Sequence, residues 1–240
     1  MTKLSSSSVP KHIAIVCDGN RRWAKSHKLE VFRGHQHAVH KVFEPLIDQA
    51  ALRGVEYLTF WIFSTENWNR DPQEVEYLLK LFREFFDDQL PRLHEKNIRV
   101  TVIGDISRFP EDIQTRIANG KKLTADNTRI TVTLAMSYGG RDELTRAIRQ
   151  IATKVADQKM TPEEITPEVI SAHLDTRREG IPDPDFIIRT SGEQRLSGFL
   201  LWQCDYAEFY FPKFHFPEFT PKRLDEAIEE FQQRQRRFGK

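Results

Sequence analysis

Three short stretches of this 240-residue chain concentrate the residue types that hold phosphate. Asp18-Gly19-Asn20-Arg21-Arg22-Trp23, Ser64-Thr65-Glu66-Asn67-Trp68-Asn69-Arg70 and Arg189-Thr190-Ser191-Gly192-Glu193-Gln194-Arg195 each set arginine beside small polar residues. Guanidinium groups bind phosphate oxygens through paired, charge-assisted hydrogen bonds, and backbone amides at a helix start add to them. Several converging arginines imply more than one phosphate group, such as one or two diphosphates. A carboxylate among them can carry Mg²⁺, which takes one or two carboxylates together with substrate phosphates. Asp18 is the candidate. A turn aspartate capping the next helix is the plainer reading of that residue, and the two companion loops weigh against it.

Other chemistries find less support. There is no G-x-x-x-x-G-K-[ST] or G-x-G-x-x-G stretch, which disfavours P-loop and dinucleotide-binding enzymes. The histidines of residues 33–40 lack zinc spacing and read as structural or solvent-facing. His35 is the exception, because it follows Gly34 at an expected helix start where it can touch phosphate. Cys17 and Cys204 sit in apolar runs and read as buried, reduced thiols. With 36 Lys+Arg against 35 Asp+Glu, a net charge of +1 gives no general pull toward nucleic acid. Any anion site must be a local cluster. No run of 18 apolar residues exists to span a bilayer. Residues 1–10 read as a flexible Ser-rich leader and not as a secretion signal, so a cytoplasmic location is expected.

The scaffold that carries these loops can be read from periodicity. Apolar, β-branched runs predict strands at residues 12–17, 55–63, 98–104, 129–136 and 185–190. Helical spacing predicts helices from Arg21, over 34–53, 73–93 (bent at Pro91), 110–125, 141–156 and 221–237, with short helices starting near Pro162 and Pro167. Residues 199–211 are apolar and aromatic, and suit a helix, a strand or both. Alternating strands and helices predict a single α/β domain over 11–240, with a mostly parallel central sheet and helices on both faces. In such a sheet, ligands bind at the carboxyl ends of the strands, where the three loops lie.

Taken together, the loops closely resemble the cis-prenyltransferases, the isoprenyl transferase family that includes undecaprenyl diphosphate synthase. The resemblance runs over residues 9–239. It rests on residues 12–24 (HIAIVCDGNRRWA), 63–70 (FSTENWNR), 137–141 (SYGGR) and 188–195 (IRTSGEQR), continuing into FLLWQ at 199–203 and EFYF at 208–211. It implies that isopentenyl diphosphate adds to an allylic prenyl diphosphate and that the new double bond is cis. Asp18 and Glu208 would hold Mg²⁺. Gly19, Asn20, Arg21, Arg22, Trp23 and His35 would surround the allylic diphosphate. Ser64, Thr65, Glu66, Trp68 and Arg70 match substrate-contact positions, and Asn67 matches the position assigned to proton removal. An amide is a poor base, so Asn67 reads better as part of a proton path to a diphosphate oxygen or water. Arg189, Arg195, Leu196 and Ser197 would hold isopentenyl diphosphate. The resemblance also implies a homodimer, for which Phe209, Phe211, Phe214, Phe216 and Phe219 offer an apolar stretch. It leaves room for a peripheral membrane contact through the lipid product.

The chain departs from the family pattern at three positions. Val31 replaces a phosphate-binding arginine, for which Arg33 or Lys28 would have to compensate. Gly198 replaces an asparagine. Ile62 replaces a small alanine and would narrow a product tunnel built from Leu78, Leu79, Leu81, Phe82, Phe85 and Phe86, which predicts a product shorter than undecaprenyl. The D-D-x-x-D motif of the all-helical trans-prenyl synthases is not met by Asp87-Asp88-Gln89-Leu90-Pro91. Two other readings stay open. One is a non-catalytic partner subunit of the same fold, and the other is a Mg²⁺-dependent phosphatase.

Overall fold

The structure is a computed structural model that describes residues 9–234. Its centre is a sheet of six parallel strands in the order β3-β4-β2-β1-β5-β6. The strands are β1 His12–Val16, β2 Tyr57–Ser64, β3 Ile98–Ile103, β4 Ile130–Tyr138, β5 Phe186–Arg189 and β6 Glu208–Tyr210. Parallel strands carry helices on their faces, so they are apolar along most of their length. Accordingly, all five residues of β1 are buried.

The side chains alternate between two cores. Ile13, Ile15, Phe186 and Ile188 point into the larger one, beneath α3 Phe43–Leu52, α4 Pro72–Glu84, α5 Leu90–Glu95, α6 Glu111–Leu123 and α10 Pro221–Gln233. Ala14, Val16 and Ile187 point into the smaller one, with Tyr138, Phe199 and Leu200. Beside that core runs α7 Gly140–Ala156, whose Gly140 packs on Leu201. Residues 1–8 of the expected leader and the expected end of the last helix, 235–237, lie outside the described residues.

Two expected helices are broken. The one expected over 34–53 starts three residues earlier, as α2 Val31–His37, and passes through a π-helical turn, Ala38–Val42, into α3. Gly34 therefore does not mark a helix start. It allows α2 to cross α1 Asn20–Ser26 closely, since a Cβ at Gly34 would lie 2.1 Å from the Asn20 carbonyl oxygen. His35 thus sits in the second turn of α2, not at its start. The helix expected over 73–93 is interrupted at a π turn, Phe85–Gln89, before Pro91. Pro91 falls in the first turn of α5, where a missing N–H costs nothing. Residues 199–206 form turns, and a strand appears only at β6. The short helices near Pro162 and Pro167 are present, the second as α8 Pro167–Ala172, followed by α9 Asp175–Arg178.

His12 is fully buried on β1, with Nδ1 facing the Pro182 carbonyl at 2.8 Å and Nε2 facing Thr59 Oγ1 at 2.8 Å. Burial lowers its pKa from 6.5 to about 4. Between these values the unfolded chain binds a proton that the folded chain does not, so stability is full above pH 6.5 and is lost as pH falls toward 4. The loss at the lower end should be about 3 kcal/mol. Urea titrations of wild type and His12→Asn across this range should show a flatter pH slope in the variant, and equal slopes would remove His12 from the explanation.

Candidate active site

The loop after β1 turns at Gly19, in the left-handed region at φ 101°. A Cβ there would lie 2.0 Å from Ser191 Oγ, so glycine meets both the backbone and the packing requirement. The Asp18 backbone N–H donates to the Val16 carbonyl (2.8 Å) and to Thr190 Oγ1 (3.1 Å), tying the first loop to the loop after β5. The Asp18 carboxylate is held from both sides: Arg22 Nη2 donates to Oδ1 and Arg189 Nη2 to Oδ2, each at 3.0 Å. Arg189 is 5 % exposed, and its Nη1 also donates to the Arg195 carbonyl (2.5 Å) and Ser197 Oγ (2.8 Å). Glu193 bridges Arg22 and Arg195.

A second group forms around Glu74 on α4. Arg70 Nη1 lies 2.8 Å from its carboxylate, Arg21 at 3.6 Å and His35 Nε2 at 3.9 Å. Burial, and next the charges of Arg70 and Arg21, lower the His35 pKa to about 3. The ring is neutral at neutral pH, and its buried Nε2 has no hydrogen-bond partner. Arg21, Arg22, Lys25, His35 and Arg70 line one pocket above Gly19 and Asn20. That concave cluster of cations suits an anion with several oxygens.

The cations at this pocket adjoin an apolar cavity. Asp18, Asn20, His35 and Arg70 line both spaces. Asn67, Arg189 and Ser197 also face the cavity, and its depths are walled by Phe43, Ile62, Leu81, Phe82, Phe85 and Phe216. Asn67 Oδ1 already accepts the Ser64 backbone N–H at 3.0 Å, so its NH₂ is the group left to face a ligand. Of the expected tunnel residues, Leu78, Leu81, Phe82 and Phe85 line the cavity, whereas Leu79 and Phe86 pack in the core.

Ile62 faces the cavity on the side it shares with Leu58 and Phe60, and β2 carries a bulge there. Trp61 pairs with Ala135 and Phe63 with Met136, leaving Ile62 as the extra residue. A bulge shifts the alternation, so Ile62 and Phe63 both join the larger core.

Several expected site residues lie elsewhere. Trp23 is stacked between His27 and His37, with ring centroids 4.5 and 4.8 Å away. Trp68 packs against Phe63 and Phe109 and donates to Ser137 Oγ at 3.0 Å. Thr65 and Glu66 line a separate hollow with Ser197 and Gly198, beside the start of α7. Arg195 is exposed, and Leu196 packs on the smaller core. Glu208 pairs with Arg234 Nη1 at 3.0 Å. Its register partner is Phe186, three residues before the end of β5, or about 10 Å along the strand. One chain therefore does not bring Glu208 to Asp18, and no group of three His, Cys, Asp or Glu forms a metal cage among the described residues.

Neither Arg33 nor Lys28 reaches the anion pocket: Arg33 donates to Gln36, and Lys28 sits at a loop tip with φ 57°. Lys25 lines it instead, and sequence reasoning missed that residue as it missed Cys17, which lines both spaces. Burial raises the pKa of both thiols, Cys17 the more strongly, so they are poor nucleophiles. Glu74 was also missed, although its place four residues after Arg70 is the spacing of a helical ion pair.

The crossing at Gly34 holds His35 over Asn20. Gly34→Ala would force Cβ into the Asn20 backbone, an overpacking worth about 1–3 kcal/mol. We expect Tm to fall by about 5 °C and KM for the anion that binds this pocket to rise. An unchanged KM would separate the helix crossing from the anion pocket.

Comparison with known proteins agrees with this geometry. Residues 16–239 match the family model described as "Putative undecaprenyl diphosphate synthase". An isoprenyl transferase of Agrobacterium fabrum is 46% identical over 239 residues, covering 100% of this chain and 96% of that protein. A ditrans,polycis-undecaprenyl-diphosphate synthase of Haemophilus influenzae, (2E,6E)-farnesyl-diphosphate specific, is 43% identical over 240 residues, 100% of this chain and 99% of that protein. Among solved structures, lavandulyl diphosphate synthase from Lavandula x intermedia, in complex with dimethylallyl diphosphate, superposes with a TM-score of 0.94 at 37% identity. That match covers 97% of this chain and 99% of the other. With an arginine-ringed anion pocket opening beside an apolar cavity at the carboxyl edge of a parallel sheet, the chain belongs to the undecaprenyl diphosphate synthase family of cis-prenyltransferases.

Proposed function

We propose that this cis-prenyltransferase extends an allylic prenyl diphosphate with isopentenyl diphosphate in a Mg²⁺-dependent reaction and stops short of undecaprenyl length. The observation that carries the reading is the adjacency of the cation pocket and the phenylalanine-walled cavity, which share Asp18, Asn20, His35 and Arg70. One space suits a diphosphate and the other suits a growing hydrocarbon tail.

As the allylic C–O bond breaks, negative charge grows on the departing diphosphate. Arg21, Arg22, Lys25 and Arg70 are already assembled where that charge appears, so little reorganisation is needed in the transition state. Arg189 and Ser197, which face the cavity, would hold the second diphosphate. The new C–C bond forms at the allylic carbon, and a proton then leaves the isopentenyl unit. The free NH₂ of Asn67 suits a residue that orients the accepting diphosphate oxygen or water.

The donor set fits Mg²⁺ through one carboxylate: Asp18 is partly exposed at the pocket rim, and phosphate oxygens would complete the shell. When bound, Mg²⁺ would neutralise charge on the leaving diphosphate. Phe209 on the edge strand β6 and Phe211 just after it are half-buried and stacked at 6.1 Å, which supports a homodimer through this edge. Phe216 and Phe219 are buried in the chain's own core, so they drop out of that surface. The two unpaired thiols fit a reducing compartment, in keeping with a cytoplasmic location.

The test uses labelled isopentenyl diphosphate with dimethylallyl, geranyl or farnesyl diphosphate. Products are dephosphorylated and sized, with and without EDTA. A ladder ending below undecaprenyl and abolished by EDTA is expected. A dominant undecaprenyl product would overturn the length assignment. Failure with every primer would return the chain to the partner-subunit reading, and phosphate release without elongation would point to a phosphatase.

A further inference from the structure

The charge of this protein is unevenly spread. Residues 21–41 hold six Lys or Arg (Arg21, Arg22, Lys25, Lys28, Arg33 and Lys41) and one acid, Glu30. The whole chain is only +1, so everything outside this segment is net negative by four. The segment is the α1–α2 pair with the π turn after it. Its inner side lines the substrate spaces through Arg21, His35 and Val39. Its outer side is a ridge in water.

On that outer side the charge is uncompensated. Arg21 is paired with Glu74, and Arg22 with Asp18 and Glu193. Lys25, Lys28, Arg33 and Lys41 enter no ion pair among the described residues; Arg33 donates to the Gln36 amide and lies over the Phe32 ring at 5.3 Å. Lys28, Arg33 and Lys41 also stay outside the anion pocket, so substrate binding does not explain them. Between the two helices, the tip of the loop presents Leu29, 44% exposed. The tip is not loose: Leu29 N–H donates to the Ala24 carbonyl at 2.9 Å, and the helices are locked by the Gly34 crossing and the Trp23 stack.

We propose that this ridge docks on the headgroups of an anionic lipid bilayer, with Lys28, Arg33 and Lys41 against lipid phosphates and Leu29 inserted between them. An exposed leucine at a rigid loop tip, with exposed unpaired cations beside it and along the following helix, matches such a surface on an otherwise negative molecule and turns the molecule toward it. The surface also forms the outer wall of the substrate spaces. The proposal's use rests on the reading above that the product carries an apolar tail, because docking here lets that tail pass into lipid without crossing water. Each basic residue near an anionic membrane strengthens binding about fivefold. With three such residues and one leucine, binding should be reversible and sensitive to salt.

The full-length protein, without substrates, is sedimented with vesicles of phosphatidylcholine alone or with about one-third phosphatidylglycerol, at low salt and at about 1 M salt. Binding is expected only to the anionic vesicles at low salt. Lys28→Ala/Arg33→Ala/Lys41→Ala should weaken it about a hundredfold, and Leu29→Ser should weaken it further. All four residues are exposed, and elongation of farnesyl diphosphate in vesicle-free buffer should be unchanged. The proposal falls if wild type ignores anionic vesicles, binds neutral ones equally, or is matched by the triple variant. It falls too if the triple variant instead raises KM for soluble diphosphates, which would make the ridge a substrate-steering surface. Vesicle binding that follows the charges in a protein that elongates nothing would uphold docking and overturn the catalytic reading alone.

Discussion

Asp18→Asn is expected to lower the turnover number for elongation by about 10²–10³-fold, while Tm falls by only a few degrees. The amide keeps the size of the carboxylate and removes its charge. Stability then loses the difference between two charge-assisted hydrogen bonds and weaker ones, about 1–3 kcal/mol, because Arg189 is nearly buried and already has an unpartnered Nε. Catalysis loses more, because among the described residues this carboxylate is the one acidic group lining both the cation pocket and the cavity. Its removal also frees Arg22 and Arg189 to bind substrate diphosphate more tightly in the ground state. KM should therefore fall while kcat drops, whereas loss of folded enzyme alone would lower kcat at unchanged KM. Single-turnover incorporation of labelled isopentenyl diphosphate measures this. A rate within tenfold of wild type would remove Asp18 from the chemistry.

Much of this fold is legible because its strands are buried on both faces. A parallel strand such as β1 or β4 must read as a near-continuous apolar run, and those runs stand out beside Gly54, Gly104 and Gly139. The three arginine-bearing loops are legible for a related reason. The sheet needs no polar residues at its carboxyl edge, so clustered Arg, Asn and Asp there signal a ligand.

The features that were not legible depend on registers and breaks that leave no local signature. The π turns at Ala38–Val42 and Phe85–Gln89 keep helical composition while rotating the helix beyond them. Glu208 shows the limit of carrying a motif over. Its sequence neighbourhood is intact, yet its register on β6 and its bond to Arg234 keep it from Asp18 within one chain. Trp23 and Trp68 show the same limit, since an indole beside a site serves packing as readily as contact. Glu74 was missed because it lies a helical turn beyond Arg70, where only the folded backbone brings it against Arg21 and His35, and Lys25 because it falls one residue past the 12–24 stretch.

Ile62→Ala is expected to lengthen the main product by one or more isoprenoid units. In a regular strand, residues 58, 60 and 62 share a face and Phe63 would point the opposite way. The bulge at Ile62 turns Phe63 to the same side, so two large side chains stand in the cavity wall where alternation would place one. On the proposed reading elongation stops when the tail end meets that wall, so removing three carbons should move the stopping point. The fold should tolerate the change. Ile62 is half-buried and faces open space, which puts the cost near the lower end of the range for Ile→Ala, about 2 kcal/mol. A longer ladder with unchanged KM for the primer would assign Ile62 to length alone. Ile62→Val should fall between alanine and wild type, and Ile62→Phe should shorten the ladder. If all three variants give the wild-type ladder, the stopping wall lies deeper, at Phe82 or Phe85 on the other side of the cavity. The bulge would then be a packing feature of β2 with no part in specificity.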